Sequence, residues 1–284
     1  MKRKILLPTD FSKNAWHAIC YAIELYKRDH CDFYLLNVYS STGNIIDSLI
    51  NAEPGSELYE TAKLNSENGL AKVLDMLAFK DFDNPKHHFK TISTFNNAVE
   101  AIKGLVEEKD IEMIVMGTKG KTSSRGVAYG STAINVMEKV RNCPVIVVPE
   151  LALRILPKEI VFPTSFKTHL KRRELNYLID IAKKCNASIK ILHISEEAEL
   201  NKHQANNKKI LEEYFEDVDY SFHTLSHADI PMAINCFVES RESDMVAFIN
   251  KKHVFFGSML THPLVKDIGR NSKVPILVMH DLRN

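Results

Sequence analysis

Short apolar runs alternate along the chain with stretches in which apolar residues recur every three or four positions. The runs are rich in β-branched residues and are not interleaved with polar ones, which is typical of strands buried on both faces. The stretches between them predict helices with one apolar face. One such stripe consists of Ala15, Ala18, Ile19, Ala22, Ile23 and Tyr26. This alternation predicts parallel sheets covered by helices.

The same pattern occurs twice. An apolar run that ends in Pro8-Thr9-Asp10-Phe11 is echoed by one that ends in Pro163-Thr164-Ser165-Phe166. Three more pairs follow in the same order: 35–38 with 191–194, 113–116 with 245–248, and 143–148 with 274–279. We therefore predict an α/β chain of two tandem domains, 1–150 and 151–284. Each would be a doubly wound, Rossmann-like, five-stranded parallel sheet with right-handed crossovers. The first half also carries an additional segment between residues 40 and 85.

A glycine-rich loop follows the fourth predicted strand of the first half, with the spacing G-x2-G-x9-G-S. We expect Gly117 and Gly120 to take positive φ and to let the backbone lie close to a ligand. Gly130 and Ser131 fall at the start of the next predicted helix, where free N–H groups and the helix dipole favour an anion. Lys119, Lys121 and Arg125 add positive charge, and the hydroxyl groups of Ser131 and Thr132 would either bind a phosphate or cap the helix. The alternative is that these glycines only form a long surface turn.

Two other phosphate-binding motifs are excluded. Gly120-Lys121-Thr122 looks like the end of a P-loop, but the first glycine of that motif would have to stand where Val115 is. The dinucleotide fingerprint G-x-G-x-x-G does not follow the first strand of either half.

The loop spacing, Pro-Thr-Asp at 8–10 and Pro-Val-Ile-Val-Val at 144–148 together resemble the universal stress protein family. The whole chain resembles the tandem two-domain form of that family. The resemblance implies that ATP, with or without Mg²⁺, is held at the carboxyl ends of the first and fourth strands of a domain. It also implies that Asp10 binds the ribose or the adenine and that the backbone of Val38 meets the adenine. The phosphates would be surrounded by Gly117, Lys119, Gly120, Gly130, Ser131 and Thr132, and the pocket would be lined by Pro8, Thr9 and Met116.

Asp10 has a second interpretation, because an acidic residue at this place can also cap a helix that starts at Ser12. In the second half, Ser165 stands in place of Asp10, Ile249 in place of Gly117 and Lys252 in place of Gly120. The pair Gly257-Ser258 is present, but at another distance from its strand. We therefore expect no ATP in the second domain, whose role would be packing.

Composition narrows the function classes. Lys and Arg number 37 and Asp and Glu 36, so the net charge of +1 gives no electrostatic reason to expect nucleic acid or an anionic membrane as partner. The five cysteines include no C-x-x-C pair, which argues against a disulfide framework and a zinc site. No apolar run has secretory or membrane-spanning length, so we predict a cytoplasmic protein.

Catalytic and metal motifs are missing as well. H-E-x-x-H and G-x-S-x-G do not occur, and His87 and His88 fall on a predicted strand, where their side chains point to opposite faces. We predict an ATP-binding stress-response protein that acts through nucleotide-dependent regulation or partner binding, with little or no turnover. One alternative is an adenylyl-transferring enzyme, although H-I-G-H and S-G-G-x-D-S are absent. The other is a tandem scaffold that binds partners and no nucleotide.

The fifth strand of each half predicts the assembly. Residues 145–148 and 276–279 are apolar runs that would end their sheets as exposed edges, and an unprotected edge invites aggregation. Pairing of the two edges within one chain would protect both. We therefore predict a pseudo-symmetric monomer, and the sequence leaves further homodimerisation open.

Overall fold

Ten strands and seven helices alternate in the described part of the chain. The computed structural model describes residues 2–39, 55–79, 84–119, 130–152, 155–195, 199–226, 229–250 and 274–280. The strands are β1 (Arg3–Pro8), β2 (Cys31–Tyr39), β3 (His87–Phe95), β4 (Met113–Gly117), β5 (Val145–Val148), β6 (Glu159–Thr164), β7 (Ser188–Ser195), β8 (Tyr220–Ser226), β9 (Met245–Asn250) and β10 (Ile276–His280). The helices are α1 (Lys13–Leu25), α2 (Glu57–Phe79), α3 (Ala98–Lys109), α4 (Ser131–Lys139), α5 (Arg172–Cys185), α6 (Lys202–Tyr214) and α7 (Ile230–Arg241).

All ten strands form one sheet, in the order β3-β2-β1-β4-β5-β10-β9-β6-β7-β8. Within each half the strands are parallel and follow the same order, third-second-first-fourth-fifth. The predicted α/β fold with five parallel strands in each half is therefore confirmed. Helices cover both faces, with α1 and α2 packed on one side of the first half and α3 and α4 on the other.

The two halves meet at their fifth strands. β5 and β10 pair antiparallel, with Ile146 opposite Leu277, and both side chains are fully buried. The expected pairing of the two apolar edges is thus present, and it turns two five-stranded sheets into one continuous sheet of ten strands. The outer edges are β3 and β8, which are partly exposed.

The internal repeat extends to the backbone of single residues. Phe11 and Phe166, which follow the first strand of each half, both have positive φ, at 63° and 56°. In both halves a threonine hydroxyl accepts a hydrogen bond from this phenylalanine's N–H, Thr9 at 3.0 Å and Thr164 at 3.2 Å. A left-handed conformation costs energy for a phenylalanine, so its presence at both places indicates one structural unit used twice.

The additional segment of the first half contains α2. This helix has 23 residues, whereas its counterpart in the second half, α6, has 13. Leu70, Val73 and Leu77 form the apolar face of this helix and are buried against the sheet. No described helix is both long enough and apolar enough to cross a bilayer.

The predicted boundary between residues 150 and 151 falls in the connection from β5 to β6. The division into domains 1–150 and 151–284 stays a prediction, because the continuous sheet joins both parts.

Two described ion pairs link the halves: Lys184 on α5 contacts Asp29, and Arg3 contacts Asp180. Arg3 on β1 donates to both carboxylate oxygens of Asp180 on α5, at 3.0 Å each, and Glu112 lies 3.3 Å from the same guanidinium. The Arg3 and Asp180 side chains are 28% and 37% exposed, so solvent screens the pair and its contribution is about 0.5–1 kcal/mol. We expect Asp180→Ala to lower the free energy of unfolding by that amount at low ionic strength and by less in concentrated salt. Urea denaturation at two salt concentrations measures this.

The control for this prediction is Glu108→Ala on α3, which removes a partner of Lys109 that is 64% exposed. This variant should unfold like the wild type. An equal loss of stability from Asp180→Ala at both salt concentrations would mean that the carboxylate contributes by packing and not by its charge.

Candidate functional site

The turn that follows β1 presents Asp10 at the carboxyl edge of the sheet. Asp10 Oδ1 accepts a hydrogen bond from the N–H of Ser12 at 3.1 Å. The N-cap of α1 is Ser12, whose hydroxyl oxygen accepts from the N–H of Ala15 at 3.1 Å. The alternative that Asp10 itself caps this helix is therefore wrong, and its carboxylate instead shapes the turn before the cap.

A buried asparagine on α1 fixes the start of the glycine-rich loop. Asn14 Nδ2 donates to the carbonyl of Val148 at 3.0 Å, which ties α1 to β5. Its Oδ1 accepts from the N–H of Lys119 at 2.8 Å and from the hydroxyl of Thr118 at 3.2 Å. One amide side chain thus positions the end of β4 relative to both α1 and β5.

Residue 117 must be a glycine because Asn14 packs closely against it, and not because of its φ. We expected a positive φ here, but the described glycine with positive φ is Gly55, at 98°, and Gly117 is not among such residues. A Cβ on Gly117 would lie 2.7 Å from Oδ1 and 2.8 Å from Cγ of Asn14. Glycine is thus needed here for a close approach to a protein side chain, and the expected approach of this backbone to a ligand stays a prediction.

The N-terminus of α4 faces the same edge of the sheet. Gly130 is its N-cap and donates its own N–H to the carbonyl of Thr118 at 2.7 Å. Among the described residues no side chain caps this helix, so the alternative that Ser131 or Thr132 caps it is wrong. The N–H of Ile134 makes the bond to Gly130 that closes the first turn, at 3.2 Å. The backbone N–H groups of the preceding helical residues therefore have no acceptor within the helix and are suited to bind an anion.

These elements enclose a cavity of about 230 Å³ at the carboxyl ends of β1, β2 and β4. Ten of the residues predicted for the site line it: Pro8, Thr9, Asp10, Val38, Met116, Gly117, Lys119, Gly130, Ser131 and Thr132. Gly120, the eleventh, lies outside the described residues, as do Lys121 and Arg125. The cavity is smaller than the roughly 300–1,000 Å³ of a typical small-molecule site. A nucleotide would therefore be only partly enclosed by the described residues.

Six further residues line the cavity without having been predicted from the sequence: Ala15, Leu36, Ala98, Ile102, Thr118 and Ala133. Three of them are alanines in helices, and their small side chains leave room for a ligand. An alanine in a helical stripe is typical of an ordinary core position, so no sequence pattern marks these three alanines as part of a site. Asn14 was missed for another reason, because its partners lie more than 100 residues away along the chain.

The corresponding strand end of the second half contacts the first half. Ile249, which replaces Gly117, lies half-buried on β9. The next residue, Asn250, donates from Nδ2 to the carbonyl of Met137 on α4 at 3.3 Å and accepts at its own carbonyl from Arg141 at 2.7 Å. The end of β9 is thus held against the first half. Lys252, Gly257 and Ser258 lie outside the described residues.

No described group of His, Cys, Asp and Glu residues is arranged to hold a metal ion. His87 is buried and His88 is exposed, so the two side chains lie on opposite faces of β3 as expected. All five cysteines are free. Burial, together with the nearby Asp29 carboxylate, raises the pKa of the Cys31 thiol to about 12. This thiol is therefore protonated and unreactive at neutral pH.

Comparison with known proteins identifies relatives of both the first half and the whole chain. The model of the universal stress protein family matches residues 1–149. A universal stress protein from Methanocaldococcus jannaschii is 30% identical over 167 residues, covering 52% of this chain and 95% of the relative. A second one from the same organism is 28% identical over 156 residues, covering 51% and 81%. The structure of a universal stress protein from Archaeoglobus fulgidus, 19% identical, covers 97% of this chain and 95% of its own with a TM-score of 0.70, which shows the same fold over both halves.

Proposed function

Because the chain belongs to the universal stress protein family, we propose that its first half binds ATP in the cavity at the carboxyl ends of β1 and β4. The protein would act in the stress response by nucleotide-dependent regulation or by binding a protein partner, in the cytoplasm. The observation that carries the proposal is the convergence of ten predicted site residues on this one cavity.

The chemistry of the cavity wall changes from one end to the other. Leu36, Val38, Ile102 and Met116 give one part an apolar surface suited to an adenine ring. Lys119 and the start of α4 give the other part a positive charge and outward-facing N–H groups, which suit phosphate oxygens. This polarity supports a ligand with a flat apolar body and an anionic tail.

Slow or absent turnover belongs to the same proposal. Among the described residues that line the cavity, Asp10 is the one carboxylate, and it already accepts a hydrogen bond from the N–H of Ser12. Hydrolysis needs a base that can take a proton from the attacking water. In this proposal the Asp10 carboxylate would instead accept a hydrogen bond from a ribose hydroxyl.

The second half would not bind ATP. Ile249 stands where the first half has Gly117 and Lys252 where it has Gly120, so the glycine positions of the first half are not repeated. The chain would therefore hold one nucleotide, and its second half would contribute packing.

We expect calorimetric titration with ATP and Mg²⁺ to give one site per chain after co-purified nucleotide has been removed. Asp10→Asn keeps an oxygen that can accept from Ser12 but removes the charge, and should weaken ATP binding about tenfold or more. The matched control is Ser165→Ala at the same corner of the second half, which should bind like the wild type. If the stripped wild type binds no ATP, the proposal is wrong and the tandem scaffold without nucleotide becomes the better interpretation.

A further inference from the structure

A second cavity, of about 480 Å³, lies between α1 and α2 on the other face of the sheet. Its volume falls within the range of about 300–1,000 Å³ that is typical of small-molecule sites. The floor is apolar, formed by the buried side chains of Ile19 and Val73. The half-buried rings of Phe11 and Trp16 also line the cavity and offer aromatic surface to an apolar ligand.

The rim of this cavity is positively charged. Lys13 on α1 and Lys72 on α2 both line it, and the described lining residues include neither aspartate nor glutamate. Both lysines are exposed, so they can take up a ligand charge with little desolvation. An anionic group on a bound molecule would thus meet two cations and no like charge.

The second half fills the equivalent place with its own side chains. There, two buried amides on α6 reach back to the corner after β6: Gln204 donates to the carbonyl of Ser165 at 3.0 Å, and Asn207 to that of Phe166 at 2.7 Å. Phe166 itself is buried. The first half has the same three-residue spacing of amides on α2, Asn65 and Asn68, but these side chains are exposed and line the cavity.

The cavity also depends on a glycine. Gly69, in the interior of α2, lets the ring of Phe11 lie against the helix backbone, because a Cβ at this position would collide with the ring. A glycine in a helix interior costs about 0.5–1 kcal/mol relative to alanine. Here that cost accompanies a close contact that forms one wall of the cavity.

We propose that the cavity between α1 and α2 binds a small amphipathic carboxylate, with its apolar body against Phe11, Trp16 and Ile19 and its carboxylate between Lys13 and Lys72. The same corner is closed in the second half, which makes the binding a property of the first half. This site is separate from the nucleotide cavity, although Thr9 lines both.

Trp16 is the single tryptophan of the protein and lines this cavity but not the first one, so its fluorescence reports the second cavity. Titration of the full chain with octanoate at neutral pH should give a saturable change in tryptophan emission. Octanol has no charge and lacks the two screened ion pairs, so it should bind about fivefold more weakly. Octylammonium should bind more weakly still, because both lysines repel its positive charge.

Two variants test the position of the ligand. Lys13→Gln combined with Lys72→Gln should reduce octanoate affinity to that of octanol and leave octanol binding unchanged, whereas Lys103→Gln on α3 should change neither. Gly69→Ala, which displaces the Phe11 ring, should weaken both ligands. Calorimetry should show that Trp16→Phe still binds octanoate, which excludes that the fluorescence change arises from the tryptophan alone. A fluorescence change that does not saturate, or equal affinities for octanoate and octylammonium, would overturn the proposal.

Discussion

Leu277→Asp is expected to unfold both halves of the protein together. Leu277 is fully buried in the middle of β10, where it pairs with Ile146 on one side and Ala247 on the other. An unpaired charge in this place costs more than about 4 kcal/mol, a large part of the roughly 5–15 kcal/mol that stabilises a typical domain. Because the residue lies at the junction, the loss should reach the first half as well.

Urea denaturation followed by two signals measures whether both halves lose stability together. Circular dichroism reports the whole chain, and the fluorescence of Trp16 reports the first half. Both midpoints should fall together in Leu277→Asp. The matched control is Thr224→Asp on the exposed outer edge strand β8, which should change stability by less than about 0.5 kcal/mol. A variant whose tryptophan transition stays at the wild-type midpoint would show that the first half is stable without the junction.

Gly117→Ala is expected to destabilise the protein by about 1–3 kcal/mol through a single added methyl group. The new Cβ would lie 2.7 Å from Asn14 Oδ1, and the backbone carbonyl carbon of Asn14 is 3.1 Å away. Asn14 must then move, and its hydrogen bonds to Thr118, Lys119 and Val148 weaken together. Since these bonds position the loop, affinity for ATP should fall along with the melting temperature.

Gly104→Ala on α3 provides the matched control. A Cβ there meets no atom within 4 Å, so the same chemical change should stabilise the helix by about 0.5–1 kcal/mol. Differential scanning calorimetry should therefore move the two melting temperatures in opposite directions. A Gly117→Ala variant as stable as the wild type would mean that the Asn14 side chain relaxes without loss of its bonds.

The sequence alone predicted the order of the elements, the repeat and ten of the sixteen residues that line the first cavity. Strand burial and helix faces are local properties of the chain, so the runs that end at Pro8 and Pro163 reveal them without any three-dimensional information. The carboxyl ends of parallel strands meet at one edge, which is why residues as far apart as Asp10 and Gly130 could be assigned to one place.

The parts that the sequence did not predict depend on contacts between distant segments. The role of Asn14 rests on partners on β5 and at the end of β4, and an asparagine in an apolar helical stripe gives no sign of them. The left-handed backbone at Phe11 is equally hidden, because this conformation is rare for an aromatic residue. The second cavity depends on how Gly69 packs against that same ring, which no periodicity encodes.

The antiparallel pairing of β5 with β10 also determines how assembly responds to dilution. When two separate chains pair their edge strands, the fraction of paired molecules falls as the protein is diluted. Here both strands belong to one polypeptide, so the partner is present at a fixed effective concentration that does not depend on expression level. The half with the glycine-rich loop and the half without it are likewise always present in equal numbers. Neither half can exchange its partner without breaking the strand pairing in the middle of the sheet.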